Sequence, residues 1–526
     1  MKRTLGAQIS HMLKDHGVDT IFGIPGVHNV ELYRGIEEAG IAHVLARHEQ
    51  GAGFMADGYA RATGKPGVAY VITGPGLLNI MTPMGQAFSD SVPMLVISSC
   101  LDEVAAQKGQ LHQMKDQRAA ADTVCDWSEE AKTAGAAYQL VNRAFTEFVG
   151  RRPRSKHIQV PIQVLQSVAD AGLPRMSGNL PTARPEDIVA VAQALQIAQK
   201  PMFVFGGGAI EASDVIRDLM AKVKAASFTT YAGCGITSAD DPLAYGTYLA
   251  RPEAERALEQ ADLLVVVGSE LAEVDIWREN LGHVCPMVRV DIDPSVFSDI
   301  RDSQEICVVA DAGSFISGLL DVVSEKCTSG WFGPDIAAAR TRWRAEVDME
   351  RPGIADIADA LMEALPAQCQ LFSDMTQFAY VGKETVTMKA PGYWHHPYGF
   401  GTLGYALPAA IGGKIGVGDA PVIAIAGDYG FQYTLQELGV AVELGLSLPI
   451  ILWDNQKLKE IEDCMVTSQI VPNAVQALNP DFCKLAEAFG AFSAHPKSLF
   501  EMQNFVKKAF LAEGPTLIYV TPDILN

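Results

Sequence analysis

The residues of this chain whose types and spacing best suit catalysis lie in its C-terminal third. Asp428 belongs to the stretch GDYG, which directly follows an apolar run, and Asn455 follows a second apolar run. A strand, a glycine turn, a helix and a second strand make one βαβ unit, which returns both side chains to the same sheet edge. A carboxylate, an amide oxygen and a nearby backbone carbonyl suit a hard cation such as Mg²⁺ that also binds phosphate oxygens. These residues therefore predict a magnesium site at that edge.

A second group of candidate residues lies in the N-terminal third. The stretch FGIPG, at 22–26, is a strand followed by a turn whose glycines let the backbone approach a flat ligand closely. Glu49 follows a predicted strand and precedes a helix, where α/β sheets present ligand-facing residues. The stretch TGPG, at 73–76, makes another turn after a strand, with Asn79 in the next helix. The pattern predicts a ligand site lined by backbone and by one carboxylate.

The elements that must position these residues follow a repeating βα rhythm. Short β-rich apolar runs alternate with helical segments, which is typical of parallel, doubly wound sheets. A chain of 526 residues is too long for a single core. We therefore predict an α/β fold of three doubly wound parallel-sheet domains at 1–166, 186–325 and 350–526. The stretches at 167–185 and 326–333 are predicted linkers.

Composition excludes several classes of partner. The chain has 41 Lys and Arg against 62 Asp and Glu, a net charge of −21, so we expect no nucleic-acid or anionic-membrane partner. Its nine cysteines form no CxxC pair, so neither a zinc site nor a disulfide framework is indicated. The N-terminus lacks a signal-like apolar region, and no apolar run reaches the ~18 residues that span a bilayer. We therefore expect a cytoplasmic protein.

The motifs appear in a diagnostic order. GIPG, RHEQGA, ADGYAR and TGPG in the first block are followed by GTLGYALPAA at 401–410 and by GDYG and DNQ in the third. This series resembles the acetohydroxyacid synthase and 2-oxo acid decarboxylase group of thiamine diphosphate (ThDP) enzymes over nearly the whole chain. The resemblance implies pyrimidine-binding, central and diphosphate-binding domains, with ThDP and Mg²⁺ as cofactors. It also implies a 2-oxo acid substrate and a homodimer or homotetramer with active sites at the subunit interface.

The resemblance also assigns roles to individual residues. Glu49 is implied to hydrogen-bond N1′ of the aminopyrimidine. Asp428, Asn455 and the backbone carbonyl of Lys457 are implied to bind the metal. Leu403 is implied to hold the cofactor bent. The other residues implied to contact the cofactor are Pro25, Gly26, Thr73, Asn79, Thr376, Gln377, Gly401, Gly427, Tyr429, Gly430 and Ile461.

The residues expected to face the substrate resemble one subgroup of this family more specifically. Glu460, the LH…Q stretch at 111–117 and GSELAEVD at 268–275 resemble 5-guanidino-2-oxopentanoate decarboxylases, whose substrate is the 2-oxo acid of arginine. This implies that Glu460, His112 and Gln113 face the substrate, and that His28 is a proton donor or substrate contact. Each has a plainer alternative: Glu460 as a carboxylate at a helix N-terminus, and His112 as a structural histidine. The stretch KLK at 457–459 departs from the family pattern and adds two cations nearby.

The predicted reaction is decarboxylation of a 2-oxo acid to an aldehyde and CO₂. The alternative is a flavin-free, acetolactate synthase-like carboligase. FAD is not expected, because the acidic stretch at 268–277 would repel a flavin diphosphate. Two other classes are a non-catalytic ThDP-binding paralogue and a nicotinamide oxidoreductase. The second has only the glycines at 206–208 to support it, and these predict a tight turn.

Overall fold

The computed structural model describes residues 2–103, 108–175, 178–297 and 305–525. The chain divides into two compact units: the first comprises Met1–Gly178, Glu363–Gln377 and His395–Asn526, and the second comprises Asn179–Met362 and Phe378–Trp394. Three six-stranded sheets are formed, two built mainly from the first unit and one in the second. The prediction of an α/β fold built on three parallel sheets flanked by helices is confirmed. The predicted domain limits stay predictions.

The N-terminal sheet of the first unit is parallel throughout. Its strands, in spatial order, are Ala42–Leu45, Thr20–Gly23, Gly67–Val71, Met94–Cys100, Lys156–Pro161 and Trp127–Glu130. The accompanying helices are Leu5–Asp15, Val30–Tyr33, Glu49–Thr63, Pro75–Ser89, Gln117–Asp122, Ala134–Gly150 and Ile162–Gln166. A two-stranded antiparallel ribbon pairs Arg3–Thr4 with Val168–Ala169. The two central strands are buried along their whole length, as expected for a sheet covered on both faces.

The C-terminal sheet of the first unit has the same architecture. Its strands, in spatial order, are Trp394–His395, Gln370–Ser373, Val422–Gly427, Pro449–Trp453, Thr516–Val520 and Phe492–Ala494. Its helices are Ala406–Val417, Asp428–Thr434, Leu438–Glu443, Lys459–Thr467, Phe482–Phe489 and Leu499–Ala509, with 3₁₀ turns at Leu435–Glu437 and Pro522–Leu525. Helix Gln377–Thr385 begins at the last residue of the segment Glu363–Gln377 and otherwise belongs to the second unit. Gly427 pairs with Trp453 in neighbouring parallel strands, so the residues after both strands emerge at one level. The predicted βαβ unit is confirmed.

The second unit holds the central sheet. Its strands, in spatial order, are Ala244–Gly246, Ala226–Thr229, Pro201–Phe205, Leu263–Val267, Met287–Asp291 and Glu305–Val309. Its helices are Pro185–Ile197, Ser213–Val223, Ala254–Glu259, Glu273–Ile276, Ala312–Val322, Gly333–Glu350 and Ile354–Ala364, with 3₁₀ turns at Gly207–Ala212, Tyr248–Ala250 and Pro294–Phe297. The amides of Gly206 and Gly208 donate to the carbonyls of Val267 and Gly268 at 2.9 and 3.0 Å. These two amides are therefore bonded to the end of the neighbouring strand, and the Ala209 amide closes a turn on the Gly206 carbonyl at 3.0 Å.

Two helices join the sheets of the first unit. Helix Glu49–Thr63 packs along helix Ala406–Val417 so closely that a Cβ atom on Gly58 would overlap the carbonyl oxygen of Ala409. The Tyr405 hydroxyl donates to Asp57 Oδ1 at 2.7 Å across the same contact. Glycine is required here because a side chain would push the two backbones apart. Among the described residues, none of the helices combines the length and hydropathy needed to cross a membrane.

Candidate active site

Glu49 lies at the start of the helix that follows strand Ala42–Leu45. The preceding residue, His48, caps this helix by accepting the Gln50 amide on Nδ1 at 3.1 Å. The Glu49 side chain is buried, with 9% of its surface exposed. Its Oε2 accepts a hydrogen bond from Asn79 Nδ2 at 2.9 Å, while Oε1 lies 3.3 Å from the position that a Cβ atom on Gly76 would occupy. One carboxylate oxygen is therefore fixed by the protein, and the other faces a glycine that leaves space for a ligand.

The glycine turns around Glu49 pack on a shared side chain. Ile72 contacts Gly26 and lies 2.8 Å from the Cβ position of Gly76, so side chains at either glycine would displace it. Pro25, next to Gly26, is exposed. The Thr73 hydroxyl contacts Ser99 Oγ at 2.8 Å and is turned into the core. Around Glu49 the turns thus present mainly backbone.

His28 and His112 meet beside these turns. Their ring centroids are 5.0 Å apart in an edge-to-face arrangement. Burial, followed by the neighbouring His112, lowers the pKa of His28, which favours its neutral form. The Nδ1 atoms of both rings are buried without a hydrogen-bond partner among the described residues. Such orphaned polar atoms are uncommon unless a ligand or water satisfies them. Gln113 lies in the adjoining turn, where its Oε1 accepts the Gln110 amide at 3.2 Å.

Asp428 is the first residue of the helix after Gly427 and is 4% exposed. Asn479 Nδ2 donates to Asp428 Oδ2 at 2.7 Å and to Asp454 Oδ1 at 3.0 Å, so one amide bridges two buried carboxylates. Burial raises the pKa of Asp428 to about 6, and the neighbouring Asp454 adds to this shift. A buried pair of acids is stabilised by a cation. The residues therefore fit the predicted Mg²⁺.

Asn455 is the second predicted metal ligand, and its amide orientation is set by a neighbour. Its Nδ2 donates to Gln377 Oε1 at 2.9 Å, which leaves Oδ1 as the acceptor end, reached by the Lys457 amide at 3.2 Å. Gln377 Nε2 in turn donates to Glu460 Oε1 at 2.9 Å. A continuous hydrogen-bonded chain therefore connects the predicted metal ligand, Gln377 and the predicted substrate-facing carboxylate.

A third buried carboxylate shapes the turns beside this site. Asp374 is 1% exposed, its pKa is raised to about 6 by burial, and its Oδ2 accepts the Gly404 amide at 2.9 Å. A Cβ atom on Gly430 would overlap the same carboxylate, whereas one on Gly427 would lie 3.3 Å from Thr376 Oγ1. The other predicted cofactor contacts here are the positive-φ residue Gly401, half-buried Leu403 and Tyr429, and half-exposed Ile461.

Three residues of this region were not predicted from the sequence. Asp454 directly precedes Asn455 at the end of a buried strand, and that position was a usable signal. Asn479 and Asp374 lie outside the βαβ unit, so only the folded chain brings them to Asp428 and Gly430. In the described part of the chain, no group of three or more His, Cys, Asp or Glu side chains is arranged to hold a metal ion. The predicted ligand set needs only one carboxylate.

Glu437 was also not predicted from the sequence. Its side chain binds the backbone of the segment before Glu49. Its carboxylate is fully buried and accepts the amides of Arg47, at 3.1 Å, and His48, at 2.9 Å. A Cβ atom on Gly51 would overlap this carboxylate. Burial raises the Glu437 pKa from an ordinary value near 4.5 to about 7. The C-terminal block thus holds the two residues that directly precede the helix carrying Glu49.

This pKa predicts a pH-dependent stability. Folding raises the pKa of Glu437, so the folded protein favours the protonated carboxyl. The stabilisation of the folded state that results is complete below about pH 4.5 and is lost as the pH rises through about 7. Glu437→Gln should therefore gain stability relative to wild type between pH 5 and pH 8, by on the order of 3 kcal/mol. The melting temperatures of both proteins across this range measure the effect. Glu513→Gln, the same change at an exposed glutamate, is the control, and parallel curves for wild type and Glu437→Gln would contradict the prediction.

The sequence of the chain matches known proteins along most of its length. The chain matches three family models of thiamine pyrophosphate (ThDP) enzymes: the N-terminal TPP binding domain at residues 3–120, the central domain at 188–319 and the C-terminal TPP binding domain at 374–520. It is 41% identical to the probable 2-ketoarginine decarboxylase of Pseudomonas aeruginosa, over 98% of this chain and 93% of the relative. It is 28% identical to the acetolactate synthase isozyme 2 large subunit of Escherichia coli, over 99% and 96%.

Proposed function

We propose a reaction for this protein on the premise that the chain belongs to the thiamine pyrophosphate enzyme family. It is a ThDP-dependent enzyme of the decarboxylase and carboligase type. The proposed reaction is the non-oxidative decarboxylation of 5-guanidino-2-oxopentanoate to 4-guanidinobutanal and CO₂. The observation that carries this choice is the carboxylate of Glu460, held by Gln377 in a chain that begins at the predicted metal ligand Asn455.

The residues of the proposed site have distinct roles in binding the cofactor and in proton transfer. ThDP supplies the electron sink that loss of CO₂ requires. Asp428, Asn455 and the Lys457 carbonyl would hold Mg²⁺ and, through it, the diphosphate. Glu49 would hold the aminopyrimidine and exchange a proton at Oε1, which faces Gly76. The unpartnered Nδ1 atom of His112 is suited to deliver the proton that completes the aldehyde.

The charges around Glu460 favour a cationic substrate group. A guanidinium forms charge-assisted hydrogen bonds with a carboxylate, and these are about twice as strong as neutral ones. The two lysines that depart from the family pattern form ion pairs with other carboxylates. Lys457 pairs with Glu462 at 3.0 Å, and Lys459 pairs with Asp463. Both cations are neutralised within the same helical segment.

A flavin-free, acetolactate synthase-like carboligase is the second candidate. The 28% identity with acetolactate synthases over nearly the full chain supports it. In that reaction the fragment that remains after loss of CO₂ is not protonated. It is transferred instead to a second 2-oxo acid or aldehyde. The product mixture distinguishes the two candidates.

The proposed assembly is a homodimer or homotetramer. Large apolar side chains are at least half-exposed directly beside residues predicted to contact the cofactor, namely Val27, Leu78, Phe400 and Ile461. Exposed apolar side chains next to predicted site residues are typical of a surface that a partner covers. This supports an active site completed by a second copy of the chain.

The substrate assignment predicts a selective effect of Glu460. Wild-type enzyme should convert 5-guanidino-2-oxopentanoate to 4-guanidinobutanal with a higher kcat/KM than 2-oxopentanoate. Glu460→Gln keeps the acceptor for Gln377 but removes the charge, so its kcat/KM for the guanidino acid should fall about tenfold to hundredfold. Its kcat/KM for 2-oxopentanoate should change little. Product analysis by mass spectrometry measures both rates.

The matched control for this experiment is Glu513→Gln, the same chemical change at an exposed glutamate of the C-terminal block. It should leave the substrate preference unchanged. Acetolactate accumulating from pyruvate, with no turnover of the guanidino acid, would instead support the carboligase.

Metal removal should abolish the reaction. Dialysis against EDTA takes away the ion that links Asp428 and Asn455 to the diphosphate, so turnover and ThDP binding should fall to background together. Added Mg²⁺ should restore both. Calorimetric titration with ThDP measures the binding, and product formation measures the turnover. Asp428→Asn should bind ThDP weakly with or without Mg²⁺, and full ThDP binding in EDTA would contradict the proposed metal site.

A further inference from the structure

Gln117 lies buried beneath the turn at 73–76. It is the first residue of helix Gln117–Asp122, and its side chain makes three hydrogen bonds. Its Oε1 accepts the Gly74 amide at 2.9 Å, and its Nε2 donates to the Ser99 carbonyl at 2.9 Å and to Ser98 Oγ at 3.1 Å. A backbone amide can only donate and a carbonyl can only accept, so these partners determine the orientation of the carboxamide. The side chain therefore joins the turn to the end of strand Met94–Cys100.

The same network continues into the core. Ser98 Oγ contacts His157 Nε2 at 2.8 Å, and His157 Nδ1 contacts Ser128 Oγ at 2.7 Å. His157 is fully buried and its pKa is lowered to about 3, so the ring is neutral. Since Ser98 accepts from Gln117, its hydroxyl is free to donate to Nε2, and Nδ1–H then donates to Ser128. Buried polar groups that are all bonded define one arrangement of the elements that carry them.

On its other side, the turn meets the segment that carries His112. The His112 carbonyl oxygen lies 2.5 Å from the position that a Cβ atom on Gly74 would occupy. His112 itself has φ of +62°, a conformation that costs free energy for a non-glycine residue. Gly74 is therefore confined between the Gln117 carboxamide and the His112 backbone. Gln117 also begins the helix that follows the His112 segment, so one residue restrains both.

We propose that Gln117 is a positioning residue of the active site. It holds the turn at 73–76, which packs against Glu49 through Gly76, in register with the segment that carries His112. The side chain acts through these backbones and does not contact the substrate, although sequence resemblance groups it with the substrate-side LH…Q stretch. This inference rests on the proposed function, because it assumes that Glu49 and His112 act in one reaction.

The test separates hydrogen bonding from packing. Gln117→Met has nearly the same length and no polar atoms able to replace the three bonds. We expect the Gly74 amide to exchange its hydrogen at least about tenfold faster than in wild type. The exchange is measured on the peptide 72–78 of the enzyme without cofactor. The kcat/KM for the 2-oxo acid that the wild type converts should fall about tenfold to hundredfold, since small misplacements of reacting groups are costly.

A second variant supplies a readout that a purely structural role would not change. In Gln117→Glu the carboxyl group can still accept from the Gly74 amide. Unlike the glutamine, it can donate to the Ser99 carbonyl only when it is protonated. Its activity relative to wild type should therefore rise as the pH falls from 8 to 6. The control is Gln166→Met, an exposed change at the end of helix Ile162–Gln166, which should match wild type.

Two outcomes would overturn the proposal: a kcat/KM for Gln117→Met within twofold of wild type, or unchanged exchange at Gly74. A pH-independent loss in Gln117→Glu would also count against it. A failure of the proposed function looks different, because the wild type itself would then not convert 5-guanidino-2-oxopentanoate to 4-guanidinobutanal. The exchange measurement needs neither substrate nor cofactor and still decides the role of Gln117.

Discussion

Glu49→Gln should lower turnover by about a thousandfold while leaving the fold intact. Proton transfer by a positioned carboxyl contributes about 10²–10⁴-fold to a rate, and a carboxamide cannot exchange the proton. The substitution keeps an oxygen that can accept from Asn79, so the side chain should stay where it is. Steady-state rates with the preferred 2-oxo acid measure the loss. Deuterium exchange of the C2 proton of bound ThDP should slow in parallel.

The control for this variant is Glu37→Gln, the same chemical change at an exposed glutamate. It should match wild type in rate and in ThDP exchange. Turnover by Glu49→Gln above about a tenth of the wild-type rate would contradict the assignment. Retained ThDP binding together with lost turnover is the expected combination, because Glu49 is not among the predicted ligands of the metal or the diphosphate.

Gly58→Ala should be among the most destabilising single substitutions in the first unit. In an isolated helix, alanine would be favoured over glycine by about 1 kcal/mol. Here the added Cβ atom overlaps the backbone carbonyl of Ala409, which cannot rotate away as a side chain could. We expect a loss of at least about 3 kcal/mol in the free energy of unfolding, or insoluble protein. Thermal unfolding of the purified variant measures it.

Gly135→Ala is the matched control for that change. It lies in helix Ala134–Gly150, is exposed, and its added Cβ atom would have Thr133 Oγ1 at 4.0 Å as its nearest contact. Its melting temperature should equal or exceed that of wild type. If both variants unfold at the wild-type temperature, the two helices do not pack as closely as described.

Much of the fold and part of the site follow from local sequence. Apolar β-rich runs ending in glycine turns predict parallel strands, and residues after such strands meet at one sheet edge, as the pairing of Gly427 with Trp453 shows. The motif order identifies the family, and with it the roles expected of Glu49, Asp428 and Asn455. These signals are readable because turn chemistry and hydrophobic period are encoded by neighbours along the chain.

Contacts between distant segments were decided only by tertiary structure. Glu437 accepts amides from Arg47 and His48, 390 and 389 residues away, and Asn479 bridges Asp428 to Asp454 from a loop with no motif of its own. Nothing local to Gln117 indicates that its carboxamide binds the Gly74 amide. Such pairs depend on which buried polar groups the packed helices and strands bring within reach of each other, and that is a property of the whole core.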